Sequence, residues 1–338
     1  MAHWLTRDTV LLDSSCPLPL DLPFTAAIAA HLGVSRKQLR ALVARGLVRR
    51  VVQGVYAVAQ APNDLTFRAM ALNLVVSPSA IVVDRTAAWL HGVNILPRSA
   101  REVAVPVEVF QEPGTRCRRG GVVSGERILH PLDVVEIDGL RVTSPLRTAH
   151  DLGRLLWRFD ALSALDQFLR IGVDQDSLVL GVERYKGYRG VIQLRYLVLI
   201  ADPRSESPGE SALRLYWYDA GLPTPELQWW VYDDRGVGIY RLDLALPEVR
   251  YAAEYDGVEF HTSDVDKDHD GERRDWLDRS RGWEIGVFVN QDVYAPGADP
   301  CPRLRTGLDT ARARLGEATS YPTLGPGVTG QRPGRGQK

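Results

Sequence analysis

Two acidic side chains stand in a segment that otherwise has the pattern of a buried β-strand. The segment RYAAEYDGVEFH, residues 250–261, places Glu254 and Asp256 two residues apart. Side chains alternate between the two faces of a strand, so these carboxylates share one face. Desolvated carboxylates are costly unless they are paired or bind a cation. The pattern therefore points to metal-dependent chemistry.

A further carboxylate, Asp243, belongs to the preceding predicted strand. The loop PEVR between them, residues 247–250, has a length common in β-hairpins. With this loop, antiparallel pairing sets Asp243 opposite Glu254 on one face of the sheet. Facing carboxylates repel each other, and a divalent cation between them removes the repulsion. The oxygen ligands of Asp243, Glu254 and Asp256 predict Mg²⁺ or Mn²⁺, which would activate water and stabilise the charge of phosphodiester cleavage.

Each of these acids also has an ordinary interpretation. Asp243 and Glu254 fit two exposed charges on a half-solvated sheet, although the apolar residues around them favour a site. Asp256 precedes Gly257, and Asp-Gly is a common turn pair. Glu210 lies near the sheet-facing stripe of a predicted helix and would supply a further catalytic carboxylate. It equally fits a capping box with Ser207, and both interpretations stay open.

The elements that would position these acids form an ordered series near the C-terminus. Ser207 and Pro208 are typical of a helix start, and Gly221 ends that helix. Three strand-like runs follow, ELQWWVYDD, GIYRLDLALPE and VRYAAEYDG. A polar helix over about 264–281, the strand EIGVFVN and a helix from about Pro302 complete the series. The predicted order is α-β-β-β-α-β.

This series resembles the PD-(D/E)XK nuclease superfamily, above all the branch related to the very-short-patch repair endonuclease. The resemblance covers roughly residues 205–293. It implies that Asp243 matches the central metal-binding Asp and Glu254 the acid of the (D/E)XK element. Glu210 matches the helical Glu of the superfamily.

One position departs from the superfamily pattern. Asp256 stands where the superfamily has its Lys. In the superfamily this Lys orients water and stabilises the transition state. The repair-endonuclease branch also lacks this Lys and relies on His. The resemblance therefore makes His261 a candidate base and His269 a weaker one. An inactive relative that binds DNA is the alternative.

A basic segment near the N-terminus, residues 24–58, predicts DNA binding. It contains a short helix over Phe24–Leu32, a second helix capped by Ser35 and ended by Gly46, and a hairpin at Gly54. This order is that of a winged helix-turn-helix. The segment holds no Asp or Glu. Its candidate DNA-binding residues are Arg36, Lys37, Arg40, Arg45, Arg49 and Arg50.

Within this segment the second helix would contact bases and the DNA backbone, and Arg49 and Arg50 would lie on the wing. The alternative is a solvated basic helical hairpin that packs on another domain. The segment resembles the N-terminal winged helix of AbiEi-type antitoxins and related bacterial regulators, over about 35 residues. That resemblance implies binding to DNA.

The middle of the chain resembles the same proteins. Residues 64–150 alternate helix and strand patterns, and VTSPLRTAHDL is similar to the middle part of AbiEi-like proteins. The region has no metal-ligand spacing and no nucleophile–base pair. His91, His130 and His150 are isolated, and we interpret them as structural or surface histidines.

Composition restricts the class of protein. The net charge is −1 over 338 residues, so only local patches indicate a charged partner. Cys16, Cys117 and Cys301 are far apart, which argues against disulfides or a zinc knuckle. The sequence has no signal-peptide pattern and no apolar run of ~20 residues. We therefore expect a soluble cytoplasmic protein with no membrane partner.

The predicted fold is a multidomain α/β (α+β) chain. We expect a winged helix-turn-helix over 1–62 and a mixed α/β middle domain with a helical connector over 63–200. A PD-(D/E)XK, restriction-endonuclease-like domain follows over 201–315. The tail over 316–338 is rich in Gly and Pro, and we expect it to be disordered.

Two hypotheses on function follow from these patterns. The first is a DNA-binding protein whose metal-dependent, endonuclease-like domain cleaves DNA phosphodiester bonds with Mg²⁺ or Mn²⁺. The second is a non-catalytic transcriptional regulator or antitoxin of an AbiE-like type IV toxin–antitoxin or phage-defence system, which binds its own promoter and is paired with a cognate toxin. A third, a protein-interaction module in phage defence, would bind neither DNA nor metal. The sequence indicates no oligomeric state.

Overall fold

The structure is a computed structural model that describes most of the chain. The described residues are 4, 9–95, 106–111, 122–257, 277 and 281–316. They divide into two compact units, Met1–Leu152 and Gly153–Lys338. Both units combine helices with β-sheets, which confirms the mixed α/β class. The finer division, with boundaries after residues 62, 200 and 315, stays a prediction.

A helix, a turn, a second helix and a hairpin open the first unit, in the predicted order. Ser35 Oγ accepts the Gln38 amide at 3.3 Å, and Gln38 Oε1 accepts the Ser35 amide at 2.8 Å. This reciprocal capping box starts the second helix. The elements are β1 (Phe24–Thr25), α1 (Ala26–His31), α2 (Arg36–Ala44), β2 (Val48–Val52) and β3 (Val55–Val58), with sheet order β1-β3-β2.

The predicted start of the first helix was wrong by two residues. Phe24 lies in strand β1 and pairs with Tyr56 of β3. Thr25 has an extended backbone and caps α1, because its side-chain oxygen accepts the Ile28 amide at 3.3 Å. The short strand closes the edge of the hairpin, a long-range contact that helical periodicity does not encode.

A second sheet, with the strand order β6-β5-β4-β8-β7, completes the first unit. Strands β7 and β8 join at Asp138-Gly139, where both residues have positive φ, as a two-residue hairpin requires. The elements are α3 (Leu65–Asn73), β4 (Ile81–Val82), α4 (Asp84–Leu90), β5 (Val107–Gln111), β6 (Val122–Glu126), β7 (Val134–Ile137), β8 (Leu140–Thr143) and α5 (Pro145–Leu155), which crosses into the second unit.

The isolated histidines of this region make structural contacts, in agreement with their interpretation. The ring nitrogen Nε2 of His91 lies 2.7 Å from the Thr143 carbonyl, and burial lowers the pKa of this imidazole. His130 Nδ1 accepts the Leu132 amide at 3.2 Å and caps a short 3₁₀ helix. His150 is buried.

A helical layer begins the second unit. A buried carboxylate joins two of its helices, since Asp166 on α6 accepts the Ser211 hydroxyl of α9 at 2.6 Å and also pairs with Arg214. Each of the two buried ions therefore has a partner of opposite charge. The helices are α6 (Arg158–Arg170), α7 (Gln175–Leu180), α8 (Val191–Ile200) and α9 (Pro208–Asp219).

The sheet of the second unit carries the predicted carboxylates. Its strands are β9 (Glu226–Tyr232), β10 (Gly238–Leu246), β11 (Tyr251–Asp256) and β12 (Glu284–Val289), in the order β12-β11-β10-β9. Strands β11 and β12 are parallel, and the other pairs are antiparallel. Helices α10 (Asn290–Tyr294) and α11 (Cys301–Leu315) follow.

Helix α9 packs on this sheet through aromatic contact. The rings of Trp217 and Tyr251 stack with centroids 5.3 Å apart. The predicted strand order along the chain agrees with the structure. Of the predicted polar helix, only Leu277 and Arg281 fall within the described residues. Within the described residues, no helix has the length and apolar character needed to cross a membrane.

Candidate functional site

The hairpin β10–β11 has the predicted register. Leu246 pairs with Tyr251 and Leu244 with Ala253, so the loop between the strands is Pro247–Arg250. Continuing this register by one residue sets Asp243 opposite Glu254. At that point the Asp243 carboxylate accepts the backbone amide of Tyr255 at 2.9 Å. The acid is thus anchored to the neighbouring strand.

Asp243 occupies an electrostatically unfavourable position for a carboxylate. Its pKa is raised to about 7, first by burial and then by the charge of Glu210. Glu254 raises the pKa of Asp243 further, whereas the Tyr255 amide and the charge of Arg241 lower it. The structure therefore brings Asp243 near Glu210 and Glu254, two of the three acids with which the sequence grouped it.

Glu210 contacts the start of α9 and also lies near Asp243, and its catalytic role stays a prediction. Ser207 Oγ accepts the Glu210 amide at 3.1 Å, so Ser207 caps α9 as predicted. The Glu210 carboxylate accepts the Glu206 amide at 2.8 Å, one residue before the cap. It is buried, and burial raises the pKa of its carboxyl. Its charge also acts on Asp243, so its capping contact and its proximity to the acids coexist.

The other two predicted ligands lie on β11. Glu254 is half-buried and accepts the hydroxyl of Tyr240 at 2.8 Å. Asp256 is the last residue of β11 and is paired with Val289 of β12. His261 and His269 lie outside the described residues.

The fit of a divalent cation depends on these acids. Their oxygen donors suit Mg²⁺ or Mn²⁺, which commonly use one or two carboxylates with waters. Within the described ranges, however, no group of three or more His, Cys, Asp or Glu side chains is arranged to hold a metal ion. The metal ligands Asp243, Glu254 and Asp256, and the cation itself, stay a prediction.

Two residues at this site had no signal in the sequence. Gln228 donates a hydrogen bond from Nε2 to the Glu210 carboxylate at 2.8 Å. It lies opposite Asp243, between the pairs Leu242–Trp229 and Leu244–Leu227, and its φ is +55°. Left-handed backbone is uncommon for glutamine, and strand periodicity does not reveal it. Tyr240 is the second, because its contact with Glu254 spans two strands.

The basic segment presents a second candidate surface. Arg36 and Arg40 of α2 and Arg50 of β2 are exposed. They line one cleft of about 260 Å³ between the helix and the hairpin, together with Tyr56. Lys37 is also exposed on α2 but does not line this cleft.

Two of the predicted DNA-binding arginines are instead engaged within the protein. Arg49 Nη2 donates to the carbonyls of Ala61 at 3.1 Å and Pro62 at 2.7 Å, and its guanidinium lies over the Phe67 ring. Burial lowers the pKa of this guanidinium. Arg45 donates to the Thr9 carbonyl at 3.1 Å. Neither side chain lines the cleft. For Arg49 the reason is strand alternation, which turns it away from Arg50.

Two protein-family models match segments in the first 200 residues of the chain. Residues 23–59 match the family model described as "Transcriptional regulator, AbiEi antitoxin". Residues 80–199 match the one described as "AbiEi antitoxin C-terminal domain". The first match contains α1, α2 and the hairpin, and the second contains the five-stranded sheet and helices α5–α8. These matches confirm the AbiEi part of the resemblance.

Two curated relatives cover most of the chain. They are Uncharacterized protein MT2308 and Uncharacterized protein Rv2248, from Mycobacterium tuberculosis strains CDC 1551 / Oshkosh and ATCC 25618 / H37Rv. Each is 34% identical over 281 residues, which is 82% of this chain and 99% of the relative. The chain belongs to the same family as these two proteins. The comparisons thus support its AbiEi antitoxin domains, and they give no support to the PD-(D/E)XK part of the resemblance.

Proposed function

We propose that the chain is a DNA-binding transcriptional regulator and antitoxin of the AbiEi type. One observation carries the proposal. The segment that matches a transcriptional regulator model is also the segment whose helix and hairpin expose Arg36, Arg40 and Arg50 without an acidic residue nearby in sequence. A one-signed surface of this kind attracts the phosphate backbone.

The proposed arrangement on DNA is that of a winged helix. Helix α2 would enter the major groove, with Arg36, Lys37 and Arg40 close to bases and phosphates. The hairpin β2–β3 would lie beside the backbone as the wing and contribute Arg50. Arg49 would hold the hairpin in place, since its Nη2 group donates to the Ala61 and Pro62 carbonyls.

DNA binding can be tested with the region upstream of the gene. We expect the purified chain to shift this DNA in a fluorescence anisotropy titration, and Arg36→Ala with Arg40→Ala to weaken binding at least about tenfold. Arg195→Ala removes an arginine that is exposed in the second unit and should leave binding unchanged. Equal affinity of the wild type and the double variant would reject the proposal.

The antitoxin role implies a cognate toxin as a functional partner. We expect co-expression of the chain to restore growth of cells that express a toxin encoded next to it. The arginine double variant should lose repression of the promoter, since repression requires DNA binding. Failure to restore growth with any neighbouring gene would leave a regulator without an antitoxin role.

A metal-dependent DNA endonuclease is the second candidate function. It is favoured by the environment of Asp243. Burial and the charges of Glu210 and Glu254 raise the pKa of this carboxyl group to about 7. In this proposal the second unit has the PD-(D/E)XK architecture, and Asp243, Glu254 and Asp256 hold Mg²⁺ or Mn²⁺. The cation would activate water and stabilise the charge of phosphodiester cleavage. Glu210 would orient the site from α9, and His261 would be the candidate base.

Cleavage assays separate the two candidates. Nicking of plasmid DNA with Mg²⁺ or Mn²⁺, and its loss in Asp243→Asn and Glu254→Gln, would support the endonuclease. Asp234→Asn is a matched control, because this exposed acid lies in the turn between β9 and β10. Absence of nicking, or equal nicking by all variants, would reject the endonuclease and leave the transcriptional regulator as the remaining candidate.

A further inference from the structure

The cleft between α2 and the hairpin is lined by three arginines with unused donors. Arg36 and Arg40 lie one helical turn apart on α2 and therefore share a face. Arg50 approaches from β2 on the other side of the cleft. Within the part of the chain that the structure describes, none of the three takes part in a hydrogen bond or an ion pair. Each guanidinium has five N–H donors to offer to a ligand.

The rest of the lining is apolar or aromatic. Arg50 and Tyr56 are cross-strand partners, so their side chains stand side by side on one face of the hairpin. Ala26, Leu39 and Val43 complete the lining, and no acidic side chain belongs to it. Three like charges around one cleft repel each other, and an anion between them reverses this repulsion.

The size of the cleft suits a group larger than a water molecule or a simple ion. Its volume of about 260 Å³ is several times the share of one water in the liquid, about 30 Å³. A tetrahedral anion fits together with part of the carbon group to which it is attached. The apolar lining and Tyr56 would contact that carbon group, and the arginines would contact the anion.

We propose that this cleft binds a single phosphate group, held jointly by Arg36, Arg40 and Arg50. Planar guanidinium forks match phosphate oxygens, which favours arginine at such a site. The phosphate comes from the DNA backbone, in which case the site rests on the proposed function, or from a free phosphorylated molecule. In both cases the three arginines act on one anion and not on three.

Joint binding of one phosphate has a thermodynamic signature on DNA. Each neutralised phosphate contributes about 0.9 to the slope of log K against log salt on duplex DNA. If the three arginines share one phosphate, the triple alanine variant loses about 0.9 of this slope. If each arginine contacts its own phosphate, the loss is about 2.7.

The first experiment measures affinity for upstream DNA between about 50 and about 200 mM salt. It compares Arg36→Ala, Arg40→Ala, Arg50→Ala and the triple variant, with Arg195→Ala, an exposed arginine of the second unit, as the control. We expect each single change to weaken binding several-fold, the triple by less than the product, and its slope to fall by about 0.9. A fall near 2.7 with additive losses, or no loss, overturns the single site.

The second experiment uses inorganic phosphate and follows the arginine Nε–H resonances by NMR. Shifts of all three arginines along one binding curve, absent in Arg40→Ala, identify the cleft as a site for free phosphate. If these shifts occur but the wild type binds no DNA, the phosphate site stands and the proposed function fails. If phosphate gives no shift, only the slope loss of about 0.9 sustains the site, with DNA as its source. If neither signal appears, the site is rejected.

Discussion

Asp243 is held where three physical effects meet on one carboxyl group. Burial, the charge of Glu210 and the charge of Glu254 all favour its protonated form, and the result is a pKa of about 7. The Tyr255 amide opposes them, because it donates to the charged carboxylate. The side chain is thus held in place by a hydrogen bond and is at the same time destabilised as an anion.

This raised pKa predicts a loss of stability as the pH rises. The unfolded chain releases the Asp243 proton near the ordinary value of 3.8, whereas the folded chain keeps it to about 7. Between these values the folded state binds more protons, so the free energy of unfolding falls with increasing pH. We expect Asp243→Asn, which still accepts the Tyr255 amide, to flatten this fall and to add on the order of 1–3 kcal/mol at about pH 8.

Urea unfolding followed by tryptophan fluorescence checks this prediction across the pH range. Asp256→Asn is the matched control, since it removes one acid from the neighbouring strand β11 and keeps Asp243 on β10. It should leave the pH dependence between the two values largely as in the wild type. A wild type and an Asp243→Asn variant with parallel pH profiles would show that Asp243 is not the titrating group.

For single residues, the sequence predicted which residues lie opposite each other on neighbouring strands better than which side chains contact each other. The loop length between β10 and β11 was enough to set Asp243 opposite Glu254, because hairpin register follows from loop length. Gln228 and Tyr240 escaped prediction, since their contacts depend on side chains that reach across strands and on a left-handed residue in β9. The alternation of side chains along a strand indicates which face of the sheet a residue occupies, but it does not indicate which residues its side chain contacts.

Neighbouring arginines on one strand divide two tasks between the faces of the hairpin. Arg49 points inward, where it donates to two backbone carbonyls and covers the Phe67 ring. Arg50 points outward into the cleft beside Tyr56. Strand alternation alone accounts for this division. Replacing Arg49 should therefore affect the protein differently from replacing Arg50.

We expect Arg49→Ala to lower the free energy of unfolding of the first unit by about 1–3 kcal/mol, because it removes the hydrogen bonds to the Ala61 and Pro62 carbonyls and uncovers the Phe67 ring. Arg50→Ala should change that free energy by no more than about 0.5 kcal/mol and should weaken DNA binding instead. Thermal denaturation and DNA titration on the two variants give this comparison. Equal stability losses for both would contradict the assigned orientations.

Helices that begin with a capping contact between residues close in sequence were predicted more accurately than a strand that pairs with a distant part of the chain. Ser35, Ser207 and Pro208 mark helix starts through contacts within four residues, and the structure has both helices where expected. Strand β1 was missed because two residues carry no period and pair only with a distant strand. Arg45 was grouped with the DNA-binding residues for its charge, and its contact with Thr9 lies 36 positions away.

The near-zero net charge of the whole chain conceals an uneven distribution. Residues 24–58 contain only basic charges, so the rest of the chain carries the compensating acids, and the total of −1 indicates nothing about partners. The basic surface belongs to the unit Met1–Leu152 and the carboxylate group to the unit Gly153–Lys338. The residues that carry the two candidate functions therefore lie in different units.

Because the two sites belong to different compact units, their effects should be independent. In a cycle of Arg40→Ala, Asp243→Asn and the double variant, we expect DNA affinity to follow residue 40 alone and the pH profile of stability to follow residue 243 alone. The double variant should equal the sum within about 0.5 kcal/mol, as for sites without shared partners. DNA titration and urea unfolding on the four proteins measure both quantities. A change of DNA affinity in Asp243→Asn beyond about twofold would mean that the acid group takes part in DNA binding, and the endonuclease candidate would then gain over the regulator.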